Sequence, residues 1–569
     1  MKSRFHSIVL FAASVACFTA TSLRAQTTPA PAPFPVSIQV DAGQSLGELR
    51  QIWRFFGADE PNYATMKDGR KLIGELGELK PHSVYFRTHN LLNTGDGTPA
   101  LKWGSTNAYT EDAQGNPVYD WRGVDRIFDT YIARGVKPYL QMGFMPQALS
   151  IQPEPYQHEW RPGLKYDVIS AGWAFPPKDY MKWSELNYQW TKHCIERYGR
   201  AEVEQWYFET WNEPNGPAYW RATPEEFQKL HDHAVAGVRR ALPNARVGGP
   251  DVAGHGGKFM EAFLQHIVSG KNYATGETGT PTDFLSFHAK GSPVFVDGHV
   301  RMGIANHLRT IDTGFSMIAA VPQLKSKPIV IGESDPEGCA ACQSPQNGYR
   351  NSTMYSSYTA ASFARKQDLA TKHGVNLEGA LTWAFEFEDQ PYFAGFRALA
   401  SNGVDLPVLN VFRMFSKMEG KRIMTHSSAE VPLDVMLKDG VRNQPDVAAF
   451  ASFDGHKLSI MVWHYHDDDL RGPDAAIELS TSGLGSAKSA SLTHYRIDET
   501  HSNSYAEWKR LGSPIAPNDA QYAQLEKAGK LSSLAPAENV VVENGKATLK
   551  FSLPRQGVSL LVLELAGAN

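Results

Sequence analysis

The chain has little of several things, and each shortage removes a class of function. Only 4 of its 569 residues are cysteine, too few for a disulfide-dense scaffold. Cys339 and Cys342 form a lone Cys-Ala-Ala-Cys. Zinc would need two more soft ligands nearby, and a thioredoxin-like context is missing, so a small disulfide loop is expected ahead of redox chemistry. Cys194 lies in an apolar helical pattern and reads as a buried free thiol. There is no basic excess, with 56 Lys and Arg against 60 Asp and Glu and a formal charge of −4, which argues against a nucleic-acid partner. Past the N-terminus no apolar run approaches the ~18 residues of a membrane span. A phosphate loop, a dinucleotide fingerprint and a Gly-x-Ser-x-Gly elbow are all missing, so nucleotide-dependent and serine-hydrolase classes lose their support and no cofactor is expected.

What is there is ordinary globular composition, with 42% apolar and 20% charged residues, in a length that suggests two or three domains. The 13 Trp and 22 Tyr suit sugar stacking and a large core equally well, so function has to come from motifs. Lys2 and Arg4 precede an apolar run from Ile8 to Ala20, and Leu23-Arg24-Ala25 offers a cleavage site. Residues 1–25 therefore read as a signal peptide and the mature protein as exported, periplasmic or secreted, with no membrane partner once the signal is removed. Ser14-Val15-Ala16-Cys17 is a faint lipoprotein-box alternative. A Pro/Ala/Thr-rich linker follows, and Pro35-Val36-Ser37-Ile38-Gln39-Val40 alternates like a strand, so 26–49 is expected to hold a linker and a strand that joins a C-terminal sheet.

Over residues 50–420, eight short apolar runs alternate with amphipathic stretches. The runs start near Arg54, Val84, Pro138, Trp206, Arg246, Phe284, Ile329 and Ala380. Helices are expected over 69–80, 121–134, 179–198, 224–241, 257–269, 303–321, 356–373 and 407–418. This rhythm predicts an α/β fold, a (β/α)8 TIM barrel. From 421 to 569 the pattern changes to period two, which predicts an accessory C-terminal β-sandwich with a small helical segment near 505–535. His464, His466 and the run Asp467-Asp468-Asp469 raise the question of a metal. A solvated hairpin end before a Gly-Pro turn is the expected state, and no metal site is assigned.

In such a barrel the reacting groups stand at the C-terminal ends of strands. Strand four is followed by Thr210-Trp211-Asn212-Glu213-Pro214-Asn215, and strand seven by Ile331-Gly332-Glu333-Ser334-Asp335-Pro336. Two carboxylates facing each other across a barrel mouth are what glycosidic cleavage requires. Glu213 must arrive protonated to give its proton to the leaving oxygen. Glu333 must be ionised at the anomeric carbon, with hydrogen bonds expected from Asn212 or His288. Asn212 can also donate to the sugar 2-hydroxyl. Glu209 is expected to lie too deep to reach a sugar, Glu337 competes as an acid, and Glu386, Glu388 and Asp389 read as loop or subsite residues.

With these carboxylates in place, the chain resembles glycoside hydrolase family 39, which groups β-D-xylosidases with α-L-iduronidases. The resemblance is carried by Phe86-Arg87-Thr88-His89-Asn90, Gly143-Phe144-Met145-Pro146, Trp211-Asn212-Glu213-Pro214 and Ser286-Phe287-His288. In the tail, Tyr495-Arg496-Ile497-Asp498, His501-Ser502-Asn503, Trp508 and Gly512-Ser513-Pro514 extend it. It implies a retaining glycosidase with Glu213 as acid/base, Glu333 as nucleophile, and His89, Asn212 and His288 at positions that hold sugar hydroxyls or orient the nucleophile. Trp383, directly after strand eight, is a further substrate-binding candidate. His288-Ala289-Lys290-Gly291, Glu333-x-Asp335-Pro336 and Arg397 look like iduronidases, in which Lys290 and Arg397 would hold a uronate carboxylate. Trp463-His464-Tyr465-His466-Asp467 and Asp405-Leu406-Pro407 look more like bacterial xylosidases. The expected partner is a xylo-oligosaccharide or related glycoside, cleaved from its non-reducing end, with α-L-arabinosidase side activity. The alternatives are an iduronidase-like uronide hydrolase and a non-catalytic carbohydrate-binding protein, against which the retention of both Glu213 and Glu333 argues.

Overall fold

The computed structural model describes residues 31–99, 104–152, 172–339, 342, 346–383 and 388–566. Residues 1–25, expected from sequence to be a signal peptide, and Glu386 lie outside them.

Eight parallel strands form a barrel. They are Phe55–Ala58, Val84–Thr88, Val136–Met142, Tyr207–Thr210, Arg246–Val252, Phe284–Lys290, Pro328–Asp335, and an eighth made of Asn376–Ala380 and Thr382–Trp383. Their order in the sheet is their order in the chain. The ring closes because the first half of strand eight pairs with strand seven and its second half with strand one. Helices run between strands, and their signals are local. Thr223 caps Pro224–Ala241 by accepting from the Glu226 N–H, and Gly374 ends Thr353–His373 in the left-handed region. The helix Thr353–His373 starts three residues earlier than its periodicity suggests because the Ser352 side chain caps it at Met354.

The barrel interior is filled rather than open. Phe55, Tyr85, Tyr139, Tyr207, Phe284, Val330, Leu381 and Trp383 form one buried cluster, a packed floor on which the polar residues of the strand ends rest. Gly57 belongs to this layer. A Cβ there would stand 2.5 Å from the Trp383 ring, so Gly57→Ala has to displace the indole or the strand. The expected result is a loss of about 1–3 kcal/mol of stability, read as a lower thermal midpoint together with weakened turnover.

The second domain is a ten-stranded, mostly antiparallel sheet. Phe34–Glu48 lies inside it, antiparallel to Lys421–Ser427 and parallel to Ala475–Ser482. Residues from distant strands of this order, such as Ile38, Leu479, Leu492 and Leu561, share one core, so the sheet folds over on itself. Two helices, Ser504–Arg510 and Asp519–Gly529, interrupt the strands and lean back on the barrel, where Phe393 meets Tyr505 and Trp508. The histidine pair is not a solvated hairpin end. His464 and His466 are buried and bond to the Leu553 and Arg442 carbonyls, while the Asp467 carbonyl accepts from Met302 N–H of the barrel. Distant segments of the same domain enclose the rings, Leu553 and Phe34 at His464 and Arg442 at His466, which the local pattern does not report.

Candidate active site

Strand four ends in two residues with positive φ, Trp211 (+70°) and Glu213 (+47°). Such conformations cost about 1–3 kcal/mol and persist where surroundings dictate them. Here the Trp211 indole is buried, donates to the Tyr219 carbonyl at 2.8 Å and packs on Phe144 and Trp220. The Glu213 N–H donates to the Asp251 carbonyl at 2.8 Å, and Asn215 exchanges two hydrogen bonds with the Ala253 main chain. The turn is thereby fastened to the end of strand five, and Glu213 keeps 21% of its side chain exposed.

Glu333 rises from strand seven opposite. Lys290 Nζ lies 2.5 Å from its Oε2, and Arg87 Nη1 and His288 Nδ1 stand 3.7 and 3.8 Å from its Oε1. Burial alone would raise the Glu333 carboxyl. Lys290, His288, Arg397 and Arg87 outweigh it and hold the group well below the usual carboxylate range.

His288, fully buried on strand six, lies between the two carboxylates. Its Nδ1 is 2.8 Å from Glu213 Oε1, so its closer partner is Glu213 and not the expected Glu333. Burial lowers its pKa, but Asp251 and Glu333 more than compensate, and the ring is pushed up to about 10. Arg87 crosses the interior with Nε 2.6 Å from Glu209 Oε2 and Nη2 donating to Asn212 Oδ1 at 3.2 Å and to Asp251. Asn212 therefore meets Arg87. Glu209 is buried under this layer, as its position within strand four suggests, and accepts from the Tyr139 hydroxyl at 2.7 Å.

His89 and Trp383 converge on Asp59. His89 Nδ1 is 2.8 Å from Oδ1, Trp383 Nε1 donates to Oδ2 at 3.2 Å, and the two rings meet edge to face at 5.3 Å. Lys290 also pairs with Asp335 at 3.0 Å. Arg397 is 1% exposed and stands behind that pair, 3.4 Å from Asp335 and bonded to the Glu337 carbonyl. A buried guanidinium needs buried acceptors, so Arg397 reaches the site through Asp335 rather than from the open mouth. Glu337 is paired with Arg350 at 2.7 Å, and Glu388 accepts from the Asp68 and Gly69 N–H groups at a helix start. Cys339 and Cys342 are disulfide-bonded, and Cys194 is free and buried.

Asp59, Asp251 and Asp335 were not singled out as site residues from sequence. Each is an acidic residue at or just past the C-terminal end of a barrel strand, which is the signal that marks them.

A closed parallel barrel with opposed carboxylates on strands four and seven, over a buried cationic layer, defines a glycoside hydrolase acting on O-glycosyl bonds. The chain belongs to glycosyl hydrolases family 39, whose model matches residues 36–543. It is 25% identical over 541 residues to a β-xylosidase of Caldicellulosiruptor saccharolyticus, covering 93% of this chain and 98% of that one. It is also 25% identical over 563 residues to an α-L-iduronidase of Mus musculus, covering 91% and 79%. The crystal structure of a monomeric β-xylosidase from Caulobacter crescentus CB15 superposes with a TM-score of 0.71 at 20% identity, over 93% of this chain and 99% of that one.

Proposed function

We propose that the protein is a retaining exo-glycosidase that releases β-D-xylosyl units from the non-reducing ends of xylo-oligosaccharides, exported by its leader segment. The observation that carries the mechanism is the gathering of both carboxylates on one imidazole nitrogen, 2.8 Å from Glu213 and 3.8 Å from Glu333. That placement suits the ~5–5.5 Å separation of a nucleophile and an acid better than the ~6.5–9.5 Å gap that admits a water in inverting enzymes. Glu333 attacks the anomeric carbon while Glu213 gives its proton to the departing glycosidic oxygen. Glu213, now ionised, takes a proton from the water that cleaves the xylosyl ester and restores the β-configuration. His288 donates to Glu213 throughout, and Lys290 keeps Glu333 ionised and aimed. Xylose as the sugar is supported by the similarity to β-xylosidases. α-L-Arabinopyranosides present similar ring hydroxyls and are expected side substrates. Xylotriose labelled at its reducing end tests the exo mode: labelled xylobiose appears first if units leave from the non-reducing end, whereas free labelled xylose as the first labelled product contradicts it.

Lys290 favours a second reading, a uronide hydrolase. It is a partly exposed cation (18%) beside Glu333, and α-L-iduronidases are among the relatives. The variant Lys290→Tyr separates the two. On an aryl β-D-xyloside it should keep measurable turnover, within about 100-fold of the parent. Turnover lost on an aryl α-L-iduronide alone would place the lysine in a uronide complex, whereas equal losses on both substrates would leave it as the partner of Glu333.

A further inference from the structure

Asp251 touches more of the reacting apparatus than any role yet described for it. It lies near the end of strand five with φ +53°, a left-handed conformation that favours glycine but that aspartate tolerates better than most residues. The pairing register between strands five and six shifts between Pro250 and Val252, so Asp251 is an extra, bulged residue. The register between strands six and seven shifts between Ile331 and Glu333, which makes Gly332 a second one. Bulges beside active sites re-aim side chains. These two face each other around His288: a Cβ on Gly332 would lie 1.9 Å from Asp251 Oδ1. Only a glycine before Glu333 leaves room for the Asp251 carboxylate.

From that position Asp251 reaches both halves of the site. Its carbonyl accepts the Glu213 N–H at 2.8 Å. Its Oδ2 is 2.8 Å from His288 Nε2 and bonded to Arg87 Nη2. His288 thus has a carboxylate at each ring nitrogen, Asp251 at Nε2 and Glu213 at Nδ1. An ionised carboxylate only accepts, and only the imidazolium has two N–H donors. The other charged groups around the ring are Arg87 from strand two, Glu209 from strand four, Lys290 on strand six itself and Glu333 from strand seven, with Arg397 beyond them.

We propose that Asp251 is a positioning residue of this glycosidase: it holds His288 as an imidazolium that donates to Glu213, and through its main chain it fixes the turn carrying Glu213. This inference rests on Glu213 being the acid/base. The charge is required because Glu213 becomes a carboxylate once it has protonated the leaving group, in a cavity where His288 is its nearest donor. The pKa of about 10 that Asp251 and Glu333 give the ring, against the effect of burial, agrees with this.

The isosteric variant Asp251→Asn tests it. The variant removes the charge and keeps the shape, and Arg87 retains Glu209 as partner. The imidazolium is present below the His288 pKa and lost above it, so in the variant the His288 ring, followed by NMR of carbon-labelled histidine, titrates at lower pH than in the parent. A shift of about one pH unit or more is expected, with kcat reduced about 10- to 100-fold where the ring is neutral and KM changed far less. Asp251→Glu should recover part of that shift. A His288 titration superimposable on the parent's, in a folded variant, overturns the proposal. An inactive parent enzyme on the aryl xyloside speaks against the sugar assignment instead, and the kcat comparison is then made on the aryl iduronide. If Asp251→Asn does not fold, the His288 ring is titrated in the parent protein by NMR of carbon-labelled histidine, assigned with His288→Gln. An imidazolium that persists above pH ~8 supports the role, and a neutral ring at pH ~7 overturns it.

Discussion

Replacing Glu333 by alanine is expected to abolish turnover, by ~10⁴-fold or more, on every glycoside the enzyme accepts. The reason is geometric as well as chemical. Glu333 alone stands where Lys290, Arg87 and His288 converge, and that cationic surround keeps it ionised, as an attacking oxygen must be. Removing it leaves three cations without their shared anion and no group at the anomeric carbon. Azide admitted into the vacated space should restore part of the rate and yield the α-glycosyl azide, because it attacks from the face Glu333 used. Recovery of a β-glycosyl azide from this variant would reverse the assigned roles.

Glu213→Ala should give the complementary result. A general acid contributes about 10²–10⁴-fold, and that contribution shrinks when the leaving group needs no proton. Cleavage of natural xylosides should therefore collapse. A dinitrophenyl xyloside should still form the glycosyl-enzyme rapidly and then stall, giving a burst of phenolate. Azide should now relieve the stall and give the β-glycosyl azide. Equal losses on dinitrophenyl and alkyl xylosides would show that Glu213 does not protonate the leaving group. The structure adds a caution for choosing the variant: the turn is held by the Glu213 main chain on Asp251, so a side-chain truncation at 213 leaves its anchorage in place.

The barrel was legible in sequence because each strand is a short apolar run bounded by its own turn signals, and three of the helices, Tyr180–Tyr198, Pro224–Ala241 and Thr353–His373, carry their own side-chain caps. The positions of Glu213 and Glu333 were legible because one lies just past strand four and the other near the end of strand seven, so naming the strand names the position. The layer beneath them was not. Asp251 reaches His288 only because strands five and seven each carry one extra residue beside strand six, and such a register is a property of neighbouring strands. His288 could be placed at the site, but its preference for Glu213 over Glu333 depends on that register. Arg397 was identifiable as a charged residue beyond strand eight. Its burial behind Asp335 follows from how the segment after that strand folds back, which no local pattern encodes. His464 and His466 were misplaced for a similar reason: their partners Leu553 and Arg442 come from distant segments of the same domain, and an alternating strand end looks the same whether it meets water or such a segment.

The most direct measurement is a side-by-side comparison of initial rates on an aryl β-D-xyloside and an aryl α-L-iduronide with the same leaving group. Faster cleavage of the xyloside is the expected result, and it leaves Lys290 as a partner of Glu333 and Asp335. Faster cleavage of the iduronide would contradict it, assigning the sugar recognised beside Glu333 as a uronate and Lys290 as its counter-ion.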